Sequence, residues 1–167
     1  AVADRVCALP YIDGFFFTGD MGFKTGTMIG PDDLRKYILP WHKRVVDAAH
    51  RHGTIALLHS CGNLYDIMPD IIACGYDGKH SFEDAIEPGI LELHEEFGDR
   101  IALIGGVDVD FLCRAGEEDI RARVRQYIER MGPQGGYILG SGNSIPDYCP
   151  VEKWWILLDE GLKYGRG

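Results

Sequence analysis

The chain has 167 residues, of which 46% are hydrophobic, and its 26 acidic and 17 basic side chains give a formal net charge of −9 at pH 7. This length and composition are typical of one soluble domain with its own core, so we predict that residues 1–167 form a single domain. No segment clusters lysine and arginine as a nucleic-acid or lipid-headgroup surface requires, and no apolar run is long enough to cross a bilayer. We therefore expect neither a nucleic-acid partner nor membrane association.

The five cysteines are an odd number and are scattered along the chain, at Cys7, Cys61, Cys74, Cys113 and Cys149. Such a pattern is typical of reduced thiols rather than of a disulfide framework. The first ten residues also lack the charged, apolar and small-residue regions of a secretory signal peptide. These features together predict a cytoplasmic protein.

Short apolar runs bounded by glycine or aspartate alternate with longer stretches of helical periodicity. In the predicted helix at residues 31–52, Pro31 suits the first turn, Asp32 and Asp33 lie at the positive end of the helix dipole, and Gly53 ends the helix. In chain order we predict a strand at 11–17, a helix at 31–52, a strand at 54–59, a helix at 64–73, a strand at 75–80, a helix at 87–97, a strand at 101–107, a helix at 117–131, a strand at 136–139 and a helix at 151–164.

Five βα units in series predict an α/β fold with a parallel sheet and right-handed crossovers. Both a doubly wound sheet and a barrel place their chemistry at the carboxyl ends of strands. Because polar residues follow at least four separate strands here, the barrel is favoured. A closed TIM (β/α)8-type barrel needs eight strands and about 250 residues. The sequence therefore predicts an incomplete barrel, which needs either three further N-terminal units, the alternative we favour, or a partner such as a second copy to cover its open edge.

The most informative strand end reads His59-Ser60-Cys61. An imidazole and a thiolate two residues apart can both reach one point in the loop, and Zn²⁺ accepts these ligands in a tetrahedral shell. The alternative is structural: a histidine bonded to neighbouring backbone and a small buried cysteine. We predict a metal site at His59 and Cys61 and keep the structural alternative open.

Further polar side chains follow the other predicted strands. Glu83 and Asp108 are candidate catalytic carboxylates, acting either as supplementary metal ligands or by orienting the substrate or a ligating histidine. The alternative is that they cap helices, as carboxylates at βα junctions often do. Ser141 and Asn143 are candidate substrate-binding donors in a glycine-rich loop. We favour this role over phosphate binding because the segment lacks the lysine of a P-loop. His80 is a candidate for a further polar wall of the same substrate site.

Several stretches, in this order and spacing, resemble the uroporphyrinogen decarboxylase superfamily, and especially its branch of corrinoid-dependent methyltransferases. The similarity covers nearly the whole chain and lies in residues 19–22 with 24–26, 39–44, 59–63, 105–108 and 135–139. It implies a TIM barrel longer than this chain, of which the sequence would supply strands four to eight. It also implies that Asp20 lines the family cleft, where we predict a catalytic role for it.

The resemblance implies two chemistries. The decarboxylases act on a tetrapyrrole without metal or cofactor, whereas the methyltransferases move a methyl group from a methylated corrinoid protein to a thiol or a folate. The thiol-using members hold zinc through a His-x-Cys pair, which His59 and Cys61 match, and a cysteine after the last strand. The loop at 140–144 has no cysteine, and Cys149 lies several residues later.

We therefore predict an enzyme that transfers a methyl group from a methylcorrinoid (methylcobalamin) protein to a thiol, with zinc at His59 and Cys61, or to a folate without zinc. One alternative is decarboxylation of a uroporphyrinogen-type tetrapyrrole. The other alternative is an inactive half-barrel that serves as a binding or assembly module. As an enzyme, the chain is expected to need the missing barrel half or a homo-oligomer.

Overall fold

The computed structural model describes residues 2–165, which form two compact units, residues 2–80 and 81–165. The first unit contains, in order, α1 (Val2–Cys7), β1 (Gly14–Thr18), β2 (Gly22–Phe23), β3 (Gly26–Thr27), α2 (Pro31–Asp33), a π-helical turn (Leu34–Ile38), α3 (Leu39–Arg51), β4 (Ile55–His59), a 3-10 turn (Tyr65–Ile67), α4 (Met68–Ala73) and β5 (Gly78–His80). The second contains α5 (Ile90–Phe97), β6 (Ala102–Val107), α6 (Val109–Arg114), α7 (Glu117–Met131), a 3-10 turn (Gly132–Gln134), β7 (Tyr137–Ser141) and α8 (Val151–Tyr164).

In the first unit, β1, β4 and β5 form a parallel sheet whose strands end in register. Thr18 lies opposite His59, and His59 lies opposite His80. Leu58 on β4 and Val46 on α3 are fully buried in the core of this unit. The shared register brings the loops that follow β1 and β4 to one edge of the sheet.

In the second unit, β6 and β7 are parallel, with Val107 opposite Ser141. Helices α7 and α8 bury apolar side chains, and Ile120 and Leu157 are at most 1% exposed. Glu160 on α8 is also fully buried, and it accepts hydrogen bonds from Arg121 at 2.7 Å and from Arg125 at 2.5 Å. This unit therefore combines an apolar core with a buried ionic cluster.

The predicted α/β class is confirmed. Five strands, three parallel in the first unit and two in the second, are each followed along the chain by a helix, as an incomplete (β/α)8-type barrel requires. The helix predicted at 31–52 is interrupted by the π-helical turn, and the short elements α1, β2, β3 and α6 extend the predicted set. A single domain stays a prediction. Among the described residues, no helix is long and apolar enough to cross a membrane.

Candidate metal centre

The candidate site is built on the loops that follow β1 and β4. Asp20 lies two residues beyond the end of β1, and Cys61 lies two residues beyond the end of β4. Backbone bonds continue past the strand ends: Gly19 N donates to His59 O at 3.0 Å, and Ser60 N donates to His80 O at 2.9 Å. The loops therefore leave the sheet in register, which places Asp20 beside Cys61.

A close backbone approach fixes the His-x-Cys loop. Gly62 has φ +87°, and a Cβ on it would overlap the backbone of Gly22 on the β2–β3 hairpin. The buried Ser60 Oγ accepts a bond from Met21 N at 3.0 Å, and Asn63 N donates to Phe23 O at 2.8 Å. Because only glycine allows this contact, residues 60–63 and the hairpin hold each other in place.

Three potential ligand atoms converge at this point. Nε2 of His59 lies 3.5 Å from Sγ of Cys61 and 4.0 Å from Oδ1 of Asp20, and all three atoms lie within 4.8 Å of one another. A tetrahedral zinc ion with bonds of about 2.0–2.3 Å separates its ligand atoms by about 3.3–3.8 Å. The observed spacing fits a zinc ion after small side-chain movements, and the set offers nitrogen, sulfur and oxygen donors.

Solvent access and charge also suit a metal centre. The Asp20 side chain is 48% exposed and the His59 side chain 19% exposed, so the site is open on one side. Asp20 Oδ1 accepts a bond from Cys61 N at 2.9 Å, which holds the carboxylate toward the loop. With Cys61 as thiolate and Asp20 ionised, the donors carry two negative charges, the number that neutralises Zn²⁺.

A second histidine, His80, contacts His59 through the Nδ1 edge of its ring. The two Nδ1 atoms of His59 and His80 are 2.7 Å apart, and their ring centroids are 4.9 Å apart. Phe16 on β1 lies near both rings, at 6.4 Å and 6.2 Å between centroids. His80 therefore contacts the candidate ligand on the side away from Cys61 and Asp20.

The predicted carboxylates Glu83 and Asp108 lie in the second unit. Asp108 Oδ1 accepts the N–H of Phe111 at 2.9 Å and so caps α6, and its Oδ2 accepts the N–H of Asp84 at 3.1 Å. Glu83 lines a cavity of about 300 Å³ together with Asp108 and Asn143. These bonds give Asp108 the structural role that the sequence left open, and catalysis by either carboxylate stays a prediction.

The loop after β7 is held by its own polar groups. Ser141 Oγ donates to Asn143 O at 2.8 Å, and Asn143 Oδ1 accepts the N–H of Ser144 at 2.8 Å. Substrate binding by Ser141 and Asn143 stays a prediction. Further along, burial and a hydrogen bond with Cys113 raise the pKa of the Cys149 thiol to about 11, so this thiol stays protonated at neutral pH.

The parallel strands, their following helices and the polar strand ends define an α/β protein of the kind that holds an active site at one edge of its sheet. The model of the family "Uroporphyrinogen decarboxylase (URO-D)" matches residues 17–162, and the chain belongs to this family.

Relatives of two activities are similar to the chain. It is 36% identical over 148 residues to a uroporphyrinogen decarboxylase of Thioalkalivibrio sulfidiphilus, covering 84% of this chain and 40% of that protein. It is 28% identical over 127 residues to the methylcobamide:CoM methyltransferase MtaA of Methanosarcina barkeri, covering 75% of this chain and 34% of that protein. The chain thus spans well under half the length of these relatives.

Among solved structures, a methyltransferase from Methanosarcina mazei is similar with a TM-score of 0.72 and 22% sequence identity. The superposition covers 92% of this chain and 42% of that one. At this identity the likeness shows the fold alone, and it agrees with the predicted α/β class.

The sequence pointed to His59 and Cys61 by their spacing, but it gave Asp20 a different role. The structure brings Asp20 to the same point because β1 and β4 are adjacent and end in register. The available signal was positional: Asp20 and Cys61 each follow the end of a strand by two residues. The contact between His59 and His80 has a similar signal, since each is the last residue of its strand.

Proposed function

We propose that this chain is the metal-binding portion of a URO-D-family methyltransferase, with zinc held by His59, Cys61 and Asp20. The observation that carries the proposal is the convergence of their nitrogen, sulfur and oxygen atoms within 4.8 Å at one sheet edge. Asp20, from the loop after β1, would be the third ligand in the role of a second thiolate, and it preserves the donor charge of minus two. The acceptor is a thiol, and the donor is a methylcorrinoid carried by a partner protein.

The residues fit the demands of this reaction. Zinc, when bound, lowers the pKa of an acceptor thiol and holds the thiolate that attacks carbon. The sulfur lone pair forms the new carbon–sulfur bond while the methyl–cobalt bond breaks, its electron pair stays on cobalt as Co(III) becomes Co(I), and the thiol proton goes to solvent. His59 and Cys61 hold their positions through the backbone bonds of β4 and β5, and the half-exposed side of Asp20 leaves room for the acceptor.

Metal binding by the chain itself provides the first test. After removal of metal by a chelator, zinc titration in competition with a chromophoric chelator is expected to give one equivalent per chain. His59→Gln, Cys61→Ser and Asp20→Asn are each expected to weaken binding, whereas Cys113→Ser in the second unit leaves it unchanged. Wild-type protein that takes up no zinc, or a Cys61→Ser variant with unchanged affinity, would refute the metal site.

Cobalt substitution tests the acceptor. Co²⁺ in the site is expected to show a thiolate-to-metal absorption band that disappears in Cys61→Ser and remains in Asp20→Asn. Adding the thiol CoM, the acceptor named in the Methanosarcina barkeri relative, is expected to intensify this band and release one proton per site. If CoM changes neither the spectrum nor the pH, the thiol-acceptor proposal fails, and a folate acceptor, which requires no metal-bound sulfur, is favoured instead.

The decarboxylase relatives favour a second candidate function, which is decarboxylation of a tetrapyrrole such as uroporphyrinogen. For this reaction Asp20 would face the substrate as a carboxylate, and no metal would be needed. Binding of a uroporphyrin by the metal-free chain, abolished by Asp20→Asn and unaffected by Cys61→Ser, would support it. Zinc-dependent binding of CoM that is lost in Cys61→Ser would support the methyltransferase instead.

A further inference from the structure

A short contact joins two histidines at the ends of adjacent parallel strands. Nδ1 of His59 lies 2.7 Å from Nδ1 of His80, a hydrogen-bond distance, while Nε2 of His59 faces Cys61 and Asp20. We propose that His80 is a positioning residue: it holds His59 in the tautomer that carries hydrogen on Nδ1 and presents the Nε2 lone pair to the metal. This inference deepens the proposed function and rests on it where metal affinity is concerned.

Binding of zinc through Nε2 of His59 would select one of the two hydrogen arrangements that this contact allows. Each ring has one N–H donor and one lone-pair acceptor, so of two facing nitrogens one must donate and the other accept. A histidine that ligates metal through Nε2 must carry its hydrogen on Nδ1. In this pair, Nδ1 of His59 then donates to Nδ1 of His80, and His80 carries its hydrogen on Nε2. The reverse assignment would aim the His59 Nε2–H at Cys61 and Asp20 and block the lone pair.

The strand pairing makes the contact a property of the sheet rather than of two mobile side chains. His59 and His80 lie opposite each other in the β4–β5 ladder, and the bond from Ser60 N to His80 O extends that ladder by one step. Phe16 on the neighbouring strand β1 lies opposite Leu57 of β4, and its ring lies beside both histidine rings. Backbone register and this aromatic neighbour therefore limit the orientations in which the two rings can meet.

A neutral acceptor suits this site. Ligating histidines usually donate their second N–H to a carboxylate, a carbonyl or water. A carboxylate behind His59 would add a third negative charge to a donor set that already neutralises Zn²⁺. A neutral imidazole orients His59 without changing that charge. The role differs from the substrate contact predicted for His80 from the sequence, which would leave the His59 tautomer and the metal affinity untouched.

The first experiment uses the wild-type chain loaded with Zn²⁺. Long-range ¹H–¹⁵N correlation spectra of the imidazoles distinguish the two neutral tautomers and show which nitrogen binds the metal. His59 is expected to bind zinc through Nε2 and to carry hydrogen on Nδ1, and His80 is expected to carry hydrogen on Nε2. A His59 that binds zinc through Nδ1, or a zinc-bound His80, overturns the inference.

The second experiment compares His80→Phe, which keeps a flat ring and removes the acceptor, with His80→Asn, whose side-chain oxygen can occupy the Nδ1 position. Loss of an outer partner of a ligating histidine costs about 10- to 100-fold in metal affinity. We expect that loss in His80→Phe and near wild-type affinity in His80→Asn, with His50→Phe on the exposed face of α3 as a control. Equal affinities in the Phe variant and the wild type overturn the inference. Failure of the wild type to bind zinc counts against the proposed function instead.

Discussion

Replacing Gly62 with alanine tests whether the close backbone contact maintains the candidate metal centre. Gly62 has φ +87°, a conformation that costs an L-residue about 1–2 kcal/mol. The added methyl would also overlap the backbone of Gly22, and forcing atoms into a packed contact costs about 1–3 kcal/mol more. We therefore expect Gly62→Ala to lower the free energy of unfolding by about 2–5 kcal/mol.

The control is Gly53→Ala in the same unit. Gly53 has a similar φ of +70°, but an added Cβ would meet no atom within 4 Å, so only the conformational cost of about 1–2 kcal/mol applies. Urea unfolding followed by circular dichroism measures both losses. In folded Gly62→Ala, displacement of the hairpin should also weaken zinc binding, whereas Gly53→Ala should not. Equal destabilisation by the two substitutions, with unchanged zinc affinity in both, would refute the reasoning.

Three further predictions follow from single side chains. Asp20→Cys is expected to bind zinc more tightly than the wild type in chelator competition, because thiolate suits zinc better than carboxylate does; weaker binding would argue against Asp20 as a ligand. Asp108→Ala should lower the free energy of unfolding by about 1 kcal/mol through loss of the α6 cap, and it should leave zinc affinity unchanged. A change in zinc affinity would contradict a purely capping role. Burial acts to raise the pKa of Glu160, but Arg121 and Arg125 lower it below the ordinary value, so its stabilisation should be present at neutral pH and be lost as the pH falls through and below the ordinary glutamate range. Glu160→Gln should cost about 1.5–3 kcal/mol at pH 7 through loss of charged hydrogen bonds and should flatten that pH dependence. An unchanged urea profile would contradict this.

Most of the regular fold could be predicted because its longer helices and strands show a period. Each predicted strand and helix has a counterpart, and β4 ends at the predicted residue, His59. The elements that escaped prediction are short: α1 and α6 have six residues each, and β2 and β3 have two. A six-residue helix spans fewer than two turns, so its apolar face does not repeat.

Only those ligands of the candidate site that lie close together in the sequence could be predicted as a set. His59 and Cys61 share one loop, so their spacing alone indicates a joint ligand set. Asp20 is separated from Cys61 by 41 positions, and its place depends on which strands pair and in which register. Strand order is a tertiary property that apolar patterns do not encode, and the ring orientations of His59 and His80 depend on side-chain packing.

In the proposed site, a carboxylate from Asp20 rather than a second thiolate would change the acidity of the zinc ion. A carboxylate donates less electron density to zinc than a thiolate does, so a zinc ion held by His59, Cys61 and Asp20 remains the stronger Lewis acid at the same total donor charge. Such an ion lowers the pKa of an acceptor thiol further, but it also leaves less negative charge on the bound sulfur, and thiolate nucleophilicity falls with thiol pKa. The arrangement therefore favours capture of a thiol at lower pH over the intrinsic reactivity of the thiolate. In Asp20→Cys the proton release that accompanies CoM binding should shift to higher pH than in the wild type, and a shift to lower pH would contradict a direct bond between Asp20 and the metal.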